Sequence, residues 1–342
     1  MKLLYIFFFM IFFHSGFGQI QSLKLESSTK IDSTYYVDNS NKLIVKINRD
    51  TRIDDYTIKG QDNYKLYLKP NLNHNHSISV DYKFLGFSLK LPQNWLGLQP
   101  ETGLKGESKS FDVNFTFFFN RWIQSFGYNS IKGYYVQNTG DFIPNWKEGV
   151  DLYTQLPYYE VQRMSGSTGY IFNNSKFSYR SFFNQTQMQT KSAGSLITFV
   201  NYEYLIRKNK EKHNSDFDLD KVFTSIASIG YQYNWVISRN FNFSGGFFPG
   251  FGFNYSKSKS PDTNEMDRVW NTTSQLNFNV NLNYRWRNLF CGFQMSSLNY
   301  YTKEYDLSVK NSINYNNIYL GYQFDAPKTI EKPINWIEKK IF

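Results

Sequence analysis

The residues in this chain that could do chemistry are few and poorly clustered. Histidine occurs four times and cysteine once. His14 falls in an apolar leader, which leaves His74, His76 and His213 for any site. His74 and His76 are spaced as a same-face pair on a strand and could chelate a metal, but no acidic or cysteine partner is near enough in sequence to complete a ligand set. A polar loop pair is the better reading. Cys291 is alone, so an intrachain disulfide and a cysteine-based metal site are both excluded. It lies in a strand pattern with Phe293 and Met295 and is expected to face lipid, where apolar surroundings raise a thiol pKa and suppress reactivity. Asp216, Asp218 and Asp220 alternate in a charged stretch without the glycine and distal glutamate of a calcium loop, so they read as a solvated run. Ser165-Gly166-Ser167 is not a nucleophile elbow, and a barrel lipase would need a strand-borne histidine that is missing. No Walker loop, dinucleotide fingerprint or EF-hand occurs. The expectation is a protein that is not an enzyme and needs no metal or cofactor.

One polar set remains, and its meaning depends on which way strands turn their side chains. The stretch Gln275 to Trp286, QLNFNVNLNYRW, supplies the rule. Leu276, Phe278, Val280, Leu282, Tyr284 and Trp286 share one parity, while Asn277, Asn279, Asn281, Asn283 and Arg285 share the other. Successive strand residues point to opposite faces, so this is a ribbon with one apolar and one wet face. The same alternation recurs in Ile78, Val80, Tyr82 and Phe84, in Phe111 to Phe119, in Leu196 to Ile206, in Ile229 to Trp235, in Phe241 to Phe253 and in Ile318 to Phe324. Aromatic residues are 20% of the chain although mean hydropathy is negative. A barrel whose strands are half apolar and whose rims are aromatic reconciles the two.

The start of the chain reads as a secretory signal peptide, 1–18, with Lys2 as the positive region and Leu3 to Phe13 as the apolar core. Cleavage is expected after Gly18, with no cysteine there to carry a lipid. The apolar run is too short for a membrane anchor, and no later run approaches the roughly 20 residues of a membrane helix. The organisation that follows is a periplasmic lead, 19–40, a barrel, 41–324, and a charged periplasmic tail, 325–342. The fold class is therefore an all-β, antiparallel transmembrane β-barrel of about 12 strands, within a range of about 10 to 14. The count stays open because the rhythm of long and short connections slips once between Gly166 and Ile206. In that region Val161 to Phe172 and Phe177 to Gln185 read as a strand pair joined at Asn173-Asn174-Ser175. No plug domain is evident.

With parity assigned, Arg180, Asn184, Asn201 and Glu203 are expected in the lumen, with Lys191 and Ser192 at a connection. Arg163 lies in a strand of ambiguous parity. Such charges either pair to fill the interior or line a solute path. Arg180 and Glu203 are opposite in sign and are expected in one network, directly or through Lys191 and Asn184. The net charge of +10 is spread over loops and turns, which suits lipid headgroups and lipopolysaccharide phosphates as partners and argues against nucleic acid.

Three blocks resemble a family. FSYRSFFNQTQMQTKSAGS, Phe177 to Ser195, is similar to the central motif of the uncharacterised DUF4421 family of Bacteroidetes, and YLKPN from Tyr67 and KGYYVQ from Lys132 match further blocks in the same order. The resemblance spans about Asp32 to Phe324. It implies an outer-membrane barrel of unknown function and assigns no catalytic residue. The terminal Phe324 also resembles the signal read by the barrel assembly machinery. The sequence thus points to an integral barrel in the cell outer membrane of a Gram-negative bacterium, either a channel or an envelope structural protein. An outer-membrane enzyme acting on lipid or lipopolysaccharide, and a secreted glycan-binding β-protein, are the alternatives.

Overall fold

The computed structural model describes residues 32–59, 65–72, 75–91, 103–209, 218–259, 266–304 and 307–341. The signal peptide, His74, His213 and Asp216 lie outside the described residues. The loop readings of His76 and Asp220 are corrected: His76 stands on the strand Asn75–Tyr82 opposite Arg49, and Asp220 stands on the strand Asp218–Val236 and pairs with Arg207 at 3.0 Å. Cys291 is exposed on the strand Leu289–Glu304. No helix among the described residues is long and apolar enough to cross a membrane, a test that says nothing of strands.

Fifteen strands are described, in chain order β1 Tyr36–Asp38, β2 Lys42–Lys59, β3 Lys65–Lys69, β4 Asn75–Tyr82, β5 Leu85–Lys90, β6 Lys109–Phe119, β7 Trp122–Val136, β8 Gln155–Ile171, β9 Gln187–Gln189, β10 Ala193–Asn209, β11 Asp218–Val236, β12 Phe241–Lys259, β13 Met266–Trp286, β14 Leu289–Glu304 and β15 Leu307–Asp325. Twelve of them close a ring. β2, β4, β5, β6, β7, β8 and then β10 through β15 pair in sequence, and β15 returns to β2 from Asp325↔Lys42 to Ser308↔Lys59. Every pairing is antiparallel, and closure leaves no free sheet edge to be satisfied in lipid.

β3 stands outside this ring. β4 and β5 are only 8 and 6 residues long, so β4 covers just Ile44 to Asp50 of β2. The far half of β2 pairs instead with β3, which touches β7 at Leu68↔Val136. Two short strands and an inserted one together stand in for long neighbours.

The alternation read in β13 holds in three dimensions. Phe278 is 48% exposed and Asn281 only 2%, because the first faces outward and the second inward. Aromatic residues form two outer rows, as a membrane barrel requires. Trp122, Trp235, Trp286 and Tyr322 mark one end; Trp270, Tyr255 and Tyr301 mark the other. The connections at the first end are short, at Lys83-Phe84, Asn120-Arg121, 237–240 and Arg287-Asn288. Lys83, Asn120 and Arg287 take φ of 53°, 53° and 55°, the left-handed conformation that tight hairpins demand.

A further expectation is corrected. Phe177 to Gln185 is not a strand. It contains the helix α1, Tyr179–Phe183, capped by Ser178, whose hydroxyl accepts from the Ser181 amide. The slip in loop rhythm has the same cause, since the segment between β8 and β10 leaves the wall and returns to it at one end. After Asp325 the charged tail forms a second helix, α2, Lys328–Ile341.

Candidate functional site

The segment between β8 and β10 is folded into the lumen at the short-turn end. An inlaid segment exists here although no plug domain is evident in the sequence. It includes α1, β9 and β1, the last supplied by residues 32–40, which the sequence reads as a lead. β1 pairs with β9 from Tyr36↔Gln189 to Asp38↔Gln187. Its apolar side chains meet an apolar patch on the inner wall. Phe177 and Phe182 are buried against inward-facing Phe118, Ile123, Ile171, Ile197 and Phe248.

Its polar backbone is held by the wall. Asn281 of β13 donates its side-chain amide to the Phe182 carbonyl at 3.2 Å, and Arg285 Nη2 donates to the Gln185 carbonyl at 2.9 Å. Asn234 of β11 donates to the Ser178 carbonyl at 2.8 Å, and Asn242 of β12 to the Gln189 carbonyl at 3.3 Å. Asn184 Nδ2 donates to Asp81 of β4 at 3.1 Å. Asn281 and Arg285, two members of the polar row that marks β13 as a strand, therefore also grip the inlay. Inside the inlay, Gln189 is a hub. Its Nε2 donates to the carbonyls of Tyr35, Lys176 and Lys191, and its Oε1 accepts from the Ser178 amide. The Tyr36 hydroxyl donates to the Asn174 carbonyl at 2.9 Å. Burial pushes this phenol up to about 12, and Asp38 nearby adds to the effect, so it remains a neutral donor at physiological pH.

A second constriction lies toward the long-loop end. Arg163 of β8 points inward, with its guanidinium paired to Asp54 of β2 and its Nε 2.9 Å from Glu203 of β10. Its Nη2 donates to the Tyr56 hydroxyl at 3.2 Å and to Asn311 Oδ1 at 3.3 Å, and Asn311 Nδ2 donates to Asp54 at 2.7 Å. Burying a charge is costly unless it is paired and hydrogen-bonded. Here Asp54 is fully buried and has both kinds of partner. Beyond this group an apolar cluster of Tyr56, Leu68, Ile131, Tyr134, Val161 and Leu205 fills the interior.

Between the inlay and this arginine belt around Arg163 lies a chamber of about 440 Å³ with both polar and apolar walls. Phe183 of the inlay borders it on one side and Glu203 on the other, with Asn114, Ser167, Asn201, Ser296 and Asn317 on its walls. Lys46 and Asp81 form an ion pair of 3.4 Å at its edge. A side cavity of about 110 Å³ carries Asp50, Arg52, Lys90 and Asp112, with Arg52 3.2 Å from Asp112. The described lining of the chamber contains neither histidine nor cysteine.

The five residues expected to share one network are divided between these levels. Asn201 and Glu203 face the lumen from β10. Arg180 and Asn184 belong to the inlay, and reach the interior by folding rather than by strand parity. Arg180 Nε donates to Thr186 Oγ1 at 2.8 Å, and its Nη2 donates to the Lys83 carbonyl. Lys191 is exposed, with its ammonium 5.4 Å from the Tyr35 ring centroid. The expected link between Arg180 and Glu203 is corrected: the partner of Glu203 is Arg163. Asp54 was missed because the apolar alternation of β2 fades after Asn48. The even-numbered series Asp50, Arg52, Asp54, Tyr56 continues the inward parity and was the available signal.

The model of a family described as a domain of unknown function, DUF4421, matches residues 30–324. No curated protein matches the sequence. Among solved structures, the chain is similar to the outer-membrane protease OmpT from Escherichia coli, at 8% identity over 87% of this chain and 100% of that one, with a TM-score of 0.39. It is also similar to the toluene transporter TbuX of Ralstonia pickettii, at 7% identity over 83% and 90%, TM-score 0.30, and to the toluene transporter TodX of P. putida, at 8% identity over 83% and 90%, TM-score 0.29. At these scores the likeness carries no argument about this chain.

Proposed function

Because the chain belongs to the DUF4421 family, for which no function is described, its role must be read from its lumen, and we propose that it is an integral outer-membrane barrel acting as a closed, gated passage for a small hydrophilic solute. The observation that carries this reading is the chamber between the inlay and the arginine belt. A barrel built only as a structural post has no need of it, since side chains of a 12-strand wall can occupy much of the interior. Here space bordered by Asn, Ser and Glu side chains is kept in the middle, between the inlay and the arginine belt. Beside the apolar packing of Phe177 and Phe182, the polar fastenings of the inlay to the wall are side-chain amides and a guanidinium donating to carbonyls, and not a strand ladder. Such contacts contribute about 1 to 3 kcal/mol each and can be released one at a time. The ends of the barrel follow the usual rule, with short turns on the periplasmic side and longer loops outside. The inlay is then a periplasmic gate.

Planar-bilayer recording tests this. The purified protein is expected to be silent or to flicker, and Asn281→Ala with Arg285→Ala is expected to lengthen the open periods. A wild-type barrel that stays open like a general porin would overturn the gate. A barrel that never conducts, even with the inlay residues 174–190 replaced by a short glycine-serine link, would favour the envelope structural reading.

A further inference from the structure

The helix α2 follows the last wall strand at the short-turn end, and its placement is set by one ion pair. Lys83, in the β4–β5 turn, pairs with Glu338. Leu43 and Tyr82 have outward parity at this end, yet they are only 4% and 5% exposed, whereas Ile318, Leu320 and Tyr322 on β15 are 49 to 63% exposed. Both Glu331 and Glu338 lie near the Tyr82 phenol. The ion pair therefore holds the helix beside the β4–β5 turn, on the side where Tyr82 stands.

Its sequence is divided around the helix axis. At about 100° per residue, Ile330, Ile334 and Ile337 fall within an arc of about 60°. Glu331 and Glu338 adjoin that arc and face the wall. Lys328, Lys332 and Lys339 lie opposite the isoleucines. Trp336, 60% exposed, points away from the wall, with the Lys340 ammonium 3.9 Å from its ring centroid. The isoleucine stripe lies about a quarter turn from the side that carries the glutamates, and Ile330 is 37% exposed. The wall surface beside it is the lipid-facing surface of the barrel. The lysines on the far side match a layer of phosphates.

We propose that α2 is an interfacial helix. It lies in the periplasmic leaflet of the outer membrane with Ile330, Ile334 and Ile337 immersed, and its lysines bind phospholipid headgroups of net negative charge. Two features identify this occupant: an apolar stripe with Ile330 exposed on a helix at the short-turn end of a lipid-facing wall, and the positive charge of the opposite face. Trp336 with Lys340 over its ring has the amphipathic character of membrane-interface anchors.

The test uses the full protein in a Cys291→Ser background, carrying a fluorophore at Ile330→Cys or at Lys339→Cys. It is reconstituted in vesicles of phosphatidylethanolamine with phosphatidylglycerol. The label at 330 is expected to be quenched by brominated acyl chains and shielded from aqueous iodide, and the label at 339 to show the reverse. Ile337→Cys serves in place of Ile330→Cys if the latter folds poorly. Each Lys→Gln among Lys328, Lys332, Lys339 and Lys340 is expected to weaken the docked state about fivefold, as for a basic residue near an anionic surface. Equal iodide quenching at both sites would overturn the proposal by placing α2 in water. A label at 330 insensitive to both quenchers would overturn it by placing the stripe against protein.

Discussion

Arg163 and Glu203 sit on adjacent wall strands and meet inside the lumen with Nε and Oε2 2.9 Å apart, while the same guanidinium pairs with Asp54 on β2. Removing Arg163 would leave a fully buried carboxylate without its cation. Arg163→Ala is expected to cost about 3 to 5 kcal/mol, and adding Asp54→Asn should restore part of it. Thermal unfolding followed by heat-modifiable gel migration measures both. An Arg163→Ala barrel as stable as the wild type would show that water, not Asp54, is the partner in solution.

Arg180 and Glu203 should behave as strangers. They share no contact, since Arg180 bonds to Thr186 and to the Lys83 carbonyl. Arg180→Ala and Glu203→Gln are expected to add within about 0.5 kcal/mol in a double-mutant cycle. Arg180→Ala alone should raise conductance by loosening the inlay. A large coupling energy would return the two residues to one network.

The two faces of β13 should respond in opposite ways. Val280→Arg, near the middle of the lipid-facing row, is expected to cost about 2 to 4 kcal/mol. Single cysteines at Phe278 and Asn277 should be quenched differently by brominated lipid, with only the former responding. Equal quenching would contradict the inward setting of the asparagine row.

Arg287 holds a left-handed φ of 55° in a two-residue hairpin. That conformation costs a residue bearing a Cβ roughly 1 kcal/mol. Arg287→Gly or Arg287→Asn is expected to stabilise the barrel by about 0.5 to 1 kcal/mol, read as a higher melting temperature. A loss of stability would mean that the contact of Arg287 with the Trp286 ring, 5.8 Å to the centroid, outweighs the backbone term.

Tyr36 sets an alkaline limit on the gate. Its pKa is raised from 10.0 to about 12 in the folded chain. A phenol shifted upward stabilises the folded state fully below its unfolded value, and that contribution is lost as pH rises through the folded one. Wild-type conductance is expected to begin rising between those two limits. Tyr36→Phe should flatten that rise, while weakening the inlay by about 1 kcal/mol at neutral pH through the missing hydrogen bond to Asn174. Identical alkaline profiles would assign the rise to other groups.

What the sequence alone determined is the wall. Alternation is a local property: each strand residue points to the side opposite its neighbour, so Phe278 outward and Asn279 inward follow from spacing, as do the barrel class and the central strand number. The inlay could not be read that way. Phe177 to Gln185 carries aromatic and polar residues in an order that also fits a strand, and only packing against Phe118, Ile197 and Phe248 from distant strands selects the helix. The charge partners were hidden for a related reason. Arg163, Asp54 and Glu203 come from three strands separated by tens of residues, and parity tells which side each faces but not the height at which each stands. Height is fixed by register around the closed ring, and β4 and β5, too short to reach along β2, admit β3 at the level where the arginine belt forms. Tertiary structure decided that Glu203 pairs with Arg163 and that Arg180 secures the inlay, because each charge inside a barrel takes the partner that closure brings to its own level.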